Sequence, residues 1–186
     1  MNKANANING LKFERGTPLI EAIDNTGLFK VKIINRNKQH PEGEVYSKKD
    51  EKLAEVFNGW SFYKDFLEPQ CRISTVNGFS VDNRLSKNLH PDEALVNYTN
   101  NKIYIIEKKY QERSGSVDEK LQTCGFKLQQ YEKLIANTSF TISYTYVLSS
   151  FYNDKQYSDV FAFIKDQNCS YFFEEIPLEQ VGLFKK

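Results

Sequence analysis

The sequence has no bias of charge, no paired cysteines and no long apolar run. Twenty-five Lys and Arg stand against twenty-four Asp and Glu, a formal charge of +1. That balance removes any bulk attraction to nucleic acid or to an anionic membrane, so a polyanion site has to be local. The three cysteines, Cys71, Cys124 and Cys169, are odd in number and far apart, and no Cys-x-x-Cys spacing offers a zinc or redox site. They are expected as reduced, partly buried thiols. The longest apolar runs, such as "IYII" and "TYVL", are far shorter than the roughly 20 residues a bilayer span needs. The N-terminus lacks the charged-then-apolar layout of a secretory leader, so a cytoplasmic protein with no membrane partner is expected. The glycosylation patterns at Asn97-Tyr98-Thr99 and Asn137-Thr138-Ser139 then carry no consequence.

No repeat, low-complexity linker or Pro/Gly-rich seam divides the 186 residues, and 40% hydrophobic content suffices for one core. A single domain over 1–186 is expected, with residues 1–9 as a loose polar tail. Apolar residues at Leu53, Val56, Phe57, Trp60, Tyr63 and Leu67 recur at helical spacing and predict a helix over Lys49–Leu67, weakened at Gly59. "RISTVNGFSVDNRLSKNL" predicts short strands or an ordered loop around Asn77-Gly78. A second hairpin, "EALVNYTNNKIYIIEKKYQ", turns at Asn100-Asn101. Ser116 and Glu119 stand in capping-box register before a buried stripe of Val117, Leu121, Cys124, Leu128, Tyr131 and Ile135, which predicts a helix to about Asn137. Strand, helix and strand follow in "FTISYTYVLSS", "KQYSDVFAFIKDQN" and "CSYFFEEI", ahead of a short turn at "PLEQVGL". This order predicts an α/β fold, a mixed central sheet flanked by helices, with the strand from Ile103 to Gln111 at its centre.

That strand ends in Glu107-Lys108-Lys109. Side chains alternate faces along a strand, so Glu107, Lys109 and Gln111 share one face and Lys108 takes the other. If the hairpin turns at Asn100-Asn101, Asp92 at the start of the partner strand approaches the Glu107 end across the ladder. Two carboxylates brought together repel unless they share a cation or a proton, and an all-oxygen donor set suits Mg²⁺.

Pro91-Asp92 followed by a hairpin and Glu107-Lys108-Lys109 resembles the signature of the PD-(D/E)XK nuclease superfamily. The predicted element order over about 49–175 also resembles its αβββαβ core, and the bacterial type II restriction endonucleases look most similar. Acid-x-Lys recurs at Asp50-Glu51-Lys52 and Asp118-Glu119-Lys120, but both fall at predicted helix starts and read as solvated first-turn charges. The resemblance implies that Asp92, Glu107 and the backbone carbonyl of Lys108 hold Mg²⁺, with Mn²⁺ as a substitute. Lys109 positions or deprotonates the attacking water, its pKa lowered beside the metal. Gln111 is a further candidate on the same face, and Glu55, or Glu51, on the predicted preceding helix is a candidate to complete the site. His90 and His40 read as surface or packing residues.

Arg113, Ser114, Lys120 and Lys127 are candidate DNA contacts, and base-reading groups are expected in "NRNKQHPEGE", "STVNGFSVDNRLSKN" and "YQERSGS". Lys127 stands where some subfamilies carry a Gln four residues before Tyr131, so that subgroup is not supported. Double-stranded DNA is the implied partner, cut by a homodimer whose twofold axis would match a palindrome. The alternatives are a homing, resolvase or repair nuclease, or a non-catalytic nucleic-acid-binding protein on the same fold. A simple solvated strand end with cross-strand ion pairs is the bland reading.

Overall fold

The computed structural model describes residues 10–12, 16–35, 41–71, 74–76, 79–81, 84–111 and 117–184. Its first elements are β1 (Gly10–Lys12), α1 (Leu19–Asn25), β2 (Lys30–Asn35), β3 (Glu42–Tyr46) and β4 (Lys52–Asn58). A continuous helical stretch follows, made of α2 (Gly59–Ser61), a π-helical turn (Phe62–Leu67) and α3 (Glu68–Gln70). Next come β5 (Ser74–Val76), β6 (Phe79–Val81), β7 (Glu93–Asn97), β8 (Lys102–Lys109), α4 (Val117–Leu121) and α5 (Cys124–Ile135). The remainder is β9 (Thr141–Leu148), α6 (Ser158–Asp166), β10 (Ser170–Phe173) and β11 (Glu175–Pro177), with short 3₁₀ turns between them.

Seven strands form one mixed sheet in the order β10-β9-β8-β7-β4-β3-β2. The pairs β8–β9 and β9–β10 are parallel, and the pairs from β8 to β2 are antiparallel. Residues of β8 separate the two layers. Ile103 and Ile105 face a cluster with Phe62, Phe66, Leu128, Tyr131 and Ile164, from the helical stretch, α5 and α6. Tyr104 and Ile106 face a second cluster with Leu19, Ile20 and Ile23 of α1 and with Leu11 and Ile176 of the β1–β11 ribbon. Covered on both faces, β7 and β8 read as nearly continuous apolar runs. Each large aliphatic side chain so buried contributes about 1.5–3 kcal/mol.

The β7–β8 hairpin forms with its turn at Asn100-Asn101, and Asn101 takes the left-handed φ of 51° that its short polar side chain tolerates. Two helix expectations need correction. Residues 52–58 are strand β4, not the first half of a helix; the helix begins only at Gly59, where the Asn58 side chain accepts hydrogen bonds from the Trp60 and Ser61 amides. The helix expected over 116–137 breaks at Gln122-Thr123. The Lys120 carbonyl there accepts from the Thr123 hydroxyl at 2.7 Å and from the Tyr146 hydroxyl at 3.1 Å. At the end of the chain, "CSYFFEEI" splits at Glu174, whose φ is 57°, so β10 joins the main sheet and β11 pairs with β1.

Candidate active site

Because β7 and β8 are antiparallel, the start of one lies beside the end of the other. The register pairs Glu93 with Ile106, which sets Asp92 at the end of β8 where Glu107, Lys108 and Lys109 leave the core. Asp92 Oδ2 accepts a hydrogen bond from the Lys108 backbone amide at 2.7 Å, tying the turn before β7 to β8. Pro91, the residue before it, is buried against Gly59 of α2, and a Cβ at Gly59 would collide with the Pro91 carbonyl. The helical stretch therefore fixes the backbone that carries Asp92.

The Lys109 ammonium sits between the acids. Its Nζ lies 2.7 Å from Glu107 Oε2, 3.2 Å from Asp92 Oδ2 and 3.1 Å from the Lys108 carbonyl oxygen. Three oxygens thus converge on one positive centre. Glu107 is 3% exposed, whereas the Asp92 side chain is 46% exposed, so the cluster opens to solvent on the Asp92 side. Burial pushes the Lys109 pKa down, but the charges of Glu107 and Asp92 and their hydrogen bonds outweigh it and the net shift is upward. With these partners the ammonium stays charged.

A second ammonium reaches the same acid. Lys127, in the first turn of α5, lies 3.0 Å from Glu107 Oε1 with its side chain only a quarter exposed. Each Glu107 oxygen therefore has its own cation. Sequence reading placed Lys127 among outward DNA contacts; its membership depends on how α5 docks on β8. The available signal was its place beside the buried stripe of Cys124, Leu128 and Tyr131. The Tyr131 hydroxyl beneath the acids is buried without a hydrogen-bond partner among the described residues. Burial and then the charges of Glu107 and Asp92 push its pKa up.

Lys108 points to the opposite face, as alternation requires, but it makes no surface pair. Its ammonium is ion-paired with Glu93, which is 6% exposed, and donates to the Thr17 carbonyl at 2.6 Å. Glu93 also accepts from the Leu19 amide at 2.7 Å, in the first turn of α1. Burial raises the Glu93 pKa. Two ion pairs, Asp92–Lys109 and Glu93–Lys108, thus clamp the β7–β8 ends on opposite faces of the sheet.

Other expected site residues lie elsewhere. Glu55 is on β4, not on a helix, and its carboxylate is engaged by Lys52 at 2.5 Å and by the Tyr98 hydroxyl. It does not complete the site, because β4 directs it toward the Tyr98 end of the hairpin. Glu51 lies in the turn before β4, where the Ser47 hydroxyl meets its carboxylate at 3.5 Å. The Gln111 side-chain oxygen accepts from the Tyr152 hydroxyl at 2.7 Å, anchoring the 3₁₀ turn after β9. Lys120 is exposed on α4, and Arg113 and Ser114 lie outside the described residues. His90 Nδ1 lies 3.1 Å from the Gly59 carbonyl and its ring 5.4 Å from Tyr63, a packing role as expected, while His40 falls outside the described residues. Cys71, Cys124 and Cys169 are buried and form no disulfide.

Among the described residues no group of three or more His, Cys, Asp or Glu side chains is placed to hold a metal. No helix among the described residues is long and apolar enough to cross a membrane. Neither a family model, nor a curated protein, nor a solved structure matches the chain.

Proposed function

We propose that the chain is a PD-(D/E)XK endonuclease that hydrolyses phosphodiester bonds in double-stranded DNA, acting as a cytoplasmic type II restriction enzyme on a short sequence. The observation that carries this reading is the convergence of Asp92, Glu107 and the Lys108 carbonyl on a single cation, the Lys109 ammonium. The sheet supports it in part: the β7–β8 hairpin lies antiparallel beside β4, α5 follows it, and β9 returns parallel to β8, with the helical stretch and β5–β6 between β4 and β7 in the chain.

The donor set fits Mg²⁺, with Mn²⁺ as a substitute, because all three atoms are hard oxygens that already gather around positive charge. Bound by these residues, the ion would supply neutralisation of charge on the scissile phosphate. Asp92 and Glu107 would hold it, and Lys109, released from between them, would orient the attacking water. Lys127, bonded to the other Glu107 oxygen, would keep that carboxylate oriented and would add positive charge beside the phosphate. A homodimer is the assembly that recognition of a palindrome calls for.

One observation favours the non-catalytic alternative. Every carboxylate oxygen of Glu107 is paired and the Lys109 pKa is raised, as a purely structural ion cluster would also have. Digestion of a long DNA of known sequence with Mg²⁺, followed by sequencing of the ends, separates the readings. Discrete ends sharing one motif support a restriction enzyme; random ends indicate a nonspecific nuclease; intact DNA with bound protein indicates the non-catalytic alternative.

A further inference from the structure

The chain's single tryptophan, Trp60, is 59% exposed, and Phe126 is 66% exposed. Both belong to helices on the sheet face that carries Glu107 and Lys109, the face of Phe62, Tyr131, Ile103 and Ile105. Each stands one residue from a group tied to the acids. Trp60 follows Gly59, which is packed against the Pro91 carbonyl beside Asp92. Phe126 precedes Lys127, which bonds Glu107.

The mount of Trp60 is firm although its ring is out. Asn58 Oδ1 holds the Trp60 amide at 2.9 Å and the Ser61 amide at 3.1 Å, and Glu42 accepts from the Asn58 amide at 3.0 Å. Phe62 and Phe66, in the turn that follows, stack in the core at 5.6 Å. The indole therefore stands in solvent on a backbone held by these hydrogen bonds. The Lys64 ammonium lies over it, 4.5 Å from the ring centroid. A large π-face with a mobile cation beside it is the combination that binds a base and its phosphate together.

We propose that Trp60 is a base-stacking contact of the DNA bound at the Asp92–Glu107–Lys109 cluster, with Phe126 a second aromatic contact across the site. Trp60 takes the face of a base unstacked next to the scissile phosphate, and Lys64 turns from the indole to that base's phosphate. This rests on the nuclease reading of the same site.

Because the chain has one tryptophan, its emission reports on the surroundings of Trp60. The test titrates the protein in Ca²⁺ at low salt with short mixed-sequence duplexes, one fully paired and one with a single unpaired base, following emission and gel shift in parallel. The expected result is quenching that tracks the gel shift and is stronger for the duplex with the unpaired base. Trp60→Ala should bind about tenfold or more weakly, as loss of one stacked base predicts, with Trp60→Phe restoring most of it. Phe126→Ala should weaken binding in the same direction, and Phe163→Ala, an exposed aromatic on α6, should bind as wild type. Gel shift with unchanged emission, and a Trp60→Ala variant that binds as wild type, would overturn the inference while leaving the nuclease reading intact. Emission that changes with protein concentration and not with DNA would place a second copy on the indole and overturn it too. No DNA binding in Ca²⁺ and no cleavage in Mg²⁺ would remove the nuclease reading, and the inference with it.

Discussion

Lys108 and Lys109 are adjacent and chemically identical, yet β8 sends one to each face and gives them different neighbours. Lys109→Ala leaves Asp92, Glu107 and the Lys108 carbonyl in place. It should slow single-turnover cleavage by about 10²-fold or more while DNA binding in Ca²⁺ survives. Lys108→Ala strands the Glu93 carboxylate in the interior, and urea unfolding should find it about 3–5 kcal/mol less stable. If Lys108→Ala unfolds like wild type, the buried pair is not what holds the hairpin ends. Lys127→Met should keep the fold and lower cleavage about 10- to 100-fold, as loss of a supporting partner does at a ligand. At this scale the motif residues were legible because Asp92, Glu107 and Lys109 are linked by one local hairpin and by strand alternation. Lys127 and Glu93 were not, because their partners come from α5 and α1, elements whose docking no short spacing encodes.

The stretch over 49–67 exposes the limit at the scale of elements. Leu53, Val56 and Phe57 fit a helical stripe, but in β4 Leu53, Ala54 and Val56 are the buried positions, and a run this short satisfies both periods. The decisive signal was Asn58-Gly59, a cap followed by a residue small enough to meet Pro91. Gly59→Ala tests that contact. The collision is backbone against backbone, so α2 has to shift, and thermal melting should show a loss of about 1–3 kcal/mol together with reduced cleavage, because Asp92 follows Pro91. On β3, hydrogen bonds from Lys52 and Lys32, with a further one from Tyr46, hold the Glu44 pKa down from 4.5 to about 2. A group with a lowered folded pKa contributes stability above its unfolded pKa and loses it as pH falls toward the folded one. Wild type should therefore lose more stability than Glu44→Gln between pH 4.5 and 2. Parallel urea-midpoint curves for the two would show that the cluster contributes nothing there.

Across the whole molecule, the mixed α/β sheet with helices on its faces was legible from the order of apolar runs after Glu93. The strands β2 and β3 and the β1–β11 ribbon were not: "KVKIIN" and "EGEVY" are short and carry charges on alternate positions, and β1 and β11 lie at opposite ends of the sequence. Those elements extend the sheet and close its second face, and the paired ends of β7 and β8 open to solvent at Asp92. On the proposed reading, the cluster at these strand ends is a cation-dependent phosphodiesterase site. It is tested most directly by supercoiled-plasmid cleavage in Mg²⁺ by wild type, Asp92→Ala and Glu107→Ala, purified in parallel and checked for folding by circular dichroism. The predicted result is cleavage by wild type that EDTA abolishes, and none by either folded variant. Near-wild-type cutting by either variant, or wild-type cutting in EDTA, would contradict it.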